Sequence, residues 1–111
     1  MSDNAAAAIA YLTIVPAIVF LVLPPYNASP YVRFHAWQSV FLNVAACLIW
    51  FLLTILAAVS LLVAPALISV FHTLVFLGLV LVWILCVVPA VNGKIFKLPV
   101  IGALAAKQAG L

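Results

Sequence analysis

No residue between Arg33 and Lys94 carries a charge, and this limits the fold more than any other feature of the chain. As one helix the stretch would be ~90 Å long, about three times the thickness of a bilayer's hydrocarbon core. It must turn back on itself. The breaker nearest its middle is Pro65, in Leu62-Val63-Ala64-Pro65-Ala66, so a tight apolar hairpin is expected between about Ser60 and Ala66. The helices on either side are then spans over about 33–62 and 65–90. The second of these ends at Pro89 and the Asn92-Gly93 helix stop.

Hydrophobic residues make up 71% of the 111 positions and charged residues 5%, too few polar groups to cover a soluble domain. The solvent is lipid. A further apolar run, 5–23, is ~28 Å long as a helix and just spans a bilayer, with Pro16 expected to kink it. Met1-Ser2-Asp3-Asn4 offers no positive flank, so this run is expected to be a retained helix and not a signal peptide. The breakers in Leu23-Pro24-Pro25-Tyr26-Asn27-Ala28-Ser29-Pro30-Tyr31 mark an interfacial loop, with Ser29 as helix cap and Pro30 at the first helical position. After the last span, cations alternate with apolar residues over 94–110, which suits a short helix lying on the membrane surface. The expected fold is a single all-α membrane domain over residues 1–111: a three-helix bundle with a C-terminal amphipathic interfacial helix.

The charges are Asp3, Arg33, Lys94, Lys97 and Lys107, and there is no Glu. Without a carboxylate at membrane depth the chain lacks the usual parts of a proton relay, a hard-cation site or a general acid or base. The cations are too few for a nucleic-acid groove. In a three-span layout all four lie on one side, so the positive-inside rule puts the C-terminus in the cytoplasm and the N-terminus outside, across a cell inner membrane. Arg33, Trp37, Lys94, Lys97 and Lys107 are the expected anchors to lipid headgroups.

The segment Tyr31-Val32-Arg33-Phe34-His35-Ala36-Trp37-Gln38-Ser39 resembles the "VRFHA-x-QS" signature of a family of small bacterial and archaeal membrane proteins of unknown function. Asn92-Gly93-Lys94 and Leu98-Pro99-Val100-Ile101-Gly102 look like the family's ending, and Ala10-Tyr11-Leu12 like its opening. That family is similar to the twenty-kilodalton inner-envelope component of the chloroplast protein-import machinery. The resemblance implies a helical membrane module, with protein import as an analogy; the chloroplast protein is thought to have four spans.

His35, Ser39, Asn43 and Cys47 recur every four residues and Thr54 falls near the same side, giving a polar stripe, with Gln38 beside its start. Such a stripe is expected to avoid lipid and contact other helices, or to line a groove for a headgroup, pigment or partner helix. His72 lies inside the third span, and His72 or His35 is the candidate ligand for a haem or chlorophyll metal; the alternative is a neutral histidine bonded within the bundle. The pairs His35/Ser39 and Ser69/His72 lack an orienting acid, so no catalytic site is expected. Cys47 and Cys86 lack metal-ligand spacing and are expected to pack. Trp50 and Trp83 sit mid-span, where the indole N–H needs a partner.

These features point to a non-catalytic accessory or stabilising subunit of a larger membrane protein complex, for example a respiratory or photosynthetic one. Its partners are then other membrane subunits and lipids, with no nucleic acid, soluble substrate, resident metal or obligatory cofactor. The alternatives are a protein translocation or insertion component and a haem or chlorophyll carrier.

Overall fold

A computed structural model describes residues 2–60 and 65–111, and every regular element in them is helical: α1 (Asp3–Ile9), α2 (Ile14–Val22), a single 3-10 turn (Tyr26–Ala28), α3 (Pro30–Ser60), α4 (Pro65–Val91) and α5 (Ile101–Ala109). Helices α3 and α4 are the long arms of an antiparallel hairpin, and both are long and apolar enough to cross a membrane. Their boundaries follow the sequence closely. Ser29 caps α3 by accepting from the Val32 N–H at 3.4 Å, with Pro30 as the first helical residue. Pro65 is the first residue of α4. Gly93, at φ +72°, supplies the left-handed residue that stops α4. The apolar turn expected between Ser60 and Ala66 falls on residues 61–64, which lie outside the described residues.

The run 5–23 is not the single span expected. It divides into α1 and α2, because Thr13 turns its hydroxyl to the Val15 N–H at 3.3 Å and so starts a new helix. Pro16 then sits in the first turn of α2, where a missing N–H costs nothing, and kinks no helix. Helix α1 descends between α3 and α4, α2 returns along α3, and Phe20 packs against Tyr26 with ring centroids 5.1 Å apart. Ala6, Ala7, Ala10 and Ala17 are fully buried, small enough to let four helices approach closely. The tip of this re-entrant hairpin meets Ser39, nine positions into α3 and so ~14 Å along it.

The two ends of the chain therefore meet. Ser29 Oγ donates to Asp3 Oδ2 at 3.0 Å, and Asn4 lies against Gly93, so the N-terminal end and the C-terminal tail share one end of the molecule. An N-terminus opposite the tail, as a third span requires, does not fit this arrangement. The tail crosses that end as an extended strap, 94–98, before α5 docks on α3 with Ala105, Ala106 and Ala109 around Phe34. Gly102 lets the start of α5 lie tight against the strap: a Cβ there would lie 2.6 Å from the Lys97 Cα. At Val100, φ is +64° in a γ-turn closed by the Ile101 N–H on Pro99 O at 2.7 Å, strained for a β-branched residue.

Candidate functional site: a polar clamp and an open groove

The polar stripe of α3 separates into two parts with different jobs. The upper part, in the signature segment, is sealed: His35, Gln38 and Ser39 are 0%, 0% and 1% exposed. Buried polar atoms need partners, and among the described residues none is left without one. The partners come from the strap and the re-entrant tip, which the sequence separates widely.

Gln38 acts as a backbone clamp. Its Oε1 accepts from the Leu98 N–H at 3.1 Å, while its Nε2 donates to Phe96 O at 3.0 Å and to the Tyr11 hydroxyl at 2.9 Å. The Leu98 donor settles which way round the amide sits. His35 Nε2 lies 3.1 Å from Lys94 O, which can only accept, so Nε2 carries the proton. Its Nδ1 then accepts from the Tyr11 hydroxyl at 2.6 Å. Tyr11, Tyr31 and Phe34 surround the imidazole edge-to-face at 5.5, 4.7 and 5.1 Å. Both ring nitrogens are thus engaged, and a metal would have to displace one of these bonds.

Ser39 and Trp83 close the re-entrant tip. Ser39 Oγ donates to Ala10 O at 2.6 Å, and the Trp83 indole N–H donates to Tyr11 O at 2.6 Å. These carbonyls end α1 inside the molecule, where an unpaired group costs several kcal/mol in hydrocarbon. Tyr31 and Arg33 do the same for other helix ends: the Tyr31 hydroxyl donates to Ala90 O at 2.6 Å, and Arg33 Nη2 to Gln108 O at 2.9 Å. The expected lipid anchor Arg33 thus also holds α5. Trp37, the other residue of α3 expected at the headgroups, stacks on Phe41 with centroids 5.5 Å apart. Lys94, Lys97 and Lys107 are exposed at the same end.

Below Ser39 the stripe opens out. Asn43, Cys47 and Thr54 line a groove of about 730 Å³ between the arms, walled by Trp50, Phe76 and Trp83. Asn43 and Thr54 do not reach across to α4: Asn43 Nδ2 donates to Ser39 O at 2.8 Å and Thr54 Oγ1 to Trp50 O at 2.8 Å, each on its own helix. A recess of about 450 Å³ lies further along, where His72 sits edge-on to Trp50 at 5.4 Å with Nδ1 on Ile68 O at 3.0 Å. Cys86 is buried beside Gln38, at 3.7 Å from its Nε2, whereas Cys47 is exposed in the groove. Among the described residues no three metal-ligating side chains come together. Sequence alone does not assign Tyr11 or the backbone of 94–98 to the site; the aromatic residue in the Ala10-Tyr11-Leu12 opening is the signal it offers.

A UPF0132 membrane protein of the archaeon Archaeoglobus fulgidus is 30% identical over 113 residues, covering 99% of this chain and 98% of its own. A second from the same organism is 34% identical over 102 residues, covering 90% and 93%. A third, from Methanocaldococcus jannaschii, is 35% identical over 106 residues, covering 95% and 86%. No family model and no solved structure matches the chain.

Proposed function

Because this chain belongs to the UPF0132 family of membrane proteins, we propose that it works without chemistry of its own, as an accessory or stabilising subunit of a larger membrane protein complex. The groove carries this reading: Asn43, Cys47 and Thr54 open at membrane depth into a space that α3 and α4 do not fill. A helix from another subunit would cover these polar groups and pack against Trp50 and Phe76. Cys47 is a native probe for it. In native membranes, a thiol-reactive photocrosslinker on Cys47 is expected to give a discrete adduct, matching a large species on blue native gels. The same reagent on Val44→Cys in a Cys47→Ala background, outside the groove lining, is expected to give none. Migration as a free small species without an adduct would rule the subunit reading out.

In this proposal the end bearing Arg33, Lys94, Lys97 and Lys107 faces the cytoplasm, by the positive-inside rule, with the lysines on lipid phosphates. Since α1 and α2 turn back, both termini are on that side. Epitope tags at either terminus are expected to be protected together from protease added to intact cells. Protection of one terminus alone would require a third crossing.

The translocation reading rests on the import resemblance, carried by the signature at Val32–Ser39, whose His35, Gln38 and Ser39 are occupied in internal bonds. A pigment or haem carrier would most readily use His72, at the edge of the second recess. Visible absorbance that disappears in His72→Ala would favour it.

A further inference from the structure

The molecule is unequal along its length. Over the first ~14 Å from the charged end, α1 and α2 run beside α3 and α4, and the strap and α5 lie across the same end. Leu12 at the tip reaches the level of Leu42 and Asn43, ~20 Å along α3, and beyond it, among the described residues, only the two arms continue. The re-entrant hairpin thus stays within one leaflet, since ~20 Å from the charged end is about half of the ~40–45 Å bilayer counted with headgroups. Its outer surface is suited to acyl chains: Val15, Ile18 and Val22 on α2 are 65%, 48% and 62% exposed. Its open ends carry the polar residues Asp3 and Ser29, which bond to each other at headgroup level.

We infer that the protein is a one-leaflet wedge that favours membranes in which the leaflet around its charged end is convex. A helix with its side chains is ~10 Å across, so each displaces ~80 Å² of leaflet area. Four helices stand in one leaflet and two in the other. The excess lies near the headgroups and in the upper acyl region, where apolar insertion responds to curvature. The groove between the arms does not cancel it, because the groove opens sideways and fluid chains enter it. A spanning partner helix seated there would add similar area to both leaflets and leave the difference in place. The inference therefore stands apart from the subunit proposal, and its test uses the purified chain alone.

The test is a C-terminal fluorescent fusion in giant vesicles of phosphatidylcholine with a minority of phosphatidylglycerol, from which a narrow membrane tube is pulled. An external quencher reports which molecules have the charged end outward. These are expected to be denser on the tube than on the parent vesicle, a ratio above one, and inward-facing molecules below one. Equal densities, or the same sign for both orientations, would overturn the wedge. Deleting residues 2–22 is expected to move both ratios towards one, with circular dichroism checking the helices. If that variant does not fold, the opposed signs in the intact chain still decide the matter.

Discussion

Gln38→Leu is expected to release the C-terminal tail and destabilise the protein by about 3 kcal/mol or more. The leucine fills the same space but leaves the Leu98 N–H unpaired at a buried position and the Phe96 carbonyl at a partly buried one, and removes a donor from Tyr11. Each buried group so orphaned costs about 1–3 kcal/mol. The strap has no ladder of its own; besides Gln38, His35 and Tyr31 reach it, both at Lys94 O. Trypsin should therefore cut at Lys94 and Lys97 much faster in Gln38→Leu than in the parent protein in detergent. Arg33→Gln is the comparison: it removes one bond at the far end of α5 and is expected to cost about 1 kcal/mol. Equal cleavage of parent and Gln38→Leu would show that the strap is held by something other than the clamp.

The second large effect is expected at the re-entrant tip. Ser39→Ala orphans the Ala10 carbonyl and Trp83→Phe the Tyr11 carbonyl, each at a cost of about 1–3 kcal/mol. The carbonyls are adjacent in one turn, so once the first is freed the tip can shift and the second loses less. The double variant should thus cost less than the sum of the singles, a coupling of about 0.5 kcal/mol or more. Unfolding of the four proteins in bicelles measures it. An additive cycle would mean that the two bonds hold the turn independently.

Much of the fold was legible because hydrophobic length and breakers report directly on helix ends. Ser29, Pro30, Pro65 and Gly93 each satisfy or avoid a backbone group at a terminus, a local requirement any neighbourhood imposes. The run 5–23 misleads for the same reason. Its apolar length meets the criterion for a span, and Pro16 reads equally as a kink within one helix or as the first turn of another. Choosing between these depends on whether Ala10 and Tyr11 find donors in place of helical partners. The donors are Ser39 and Trp83, distant in the chain.

The candidate site divides in the same way. The sequence by itself determined that the solvent is lipid, that two long helices pair antiparallel, and that the polar residues of α3 lie near one face, because composition and helical period depend only on local order. Tertiary structure decided what that face does. It gave His35, Gln38 and Ser39 to the clamp and tip, left Asn43, Cys47 and Thr54 at an open groove, and brought both chain ends together. Those outcomes turn on which backbone groups would otherwise be buried unpaired, and that depends on contacts between residues far apart in the chain.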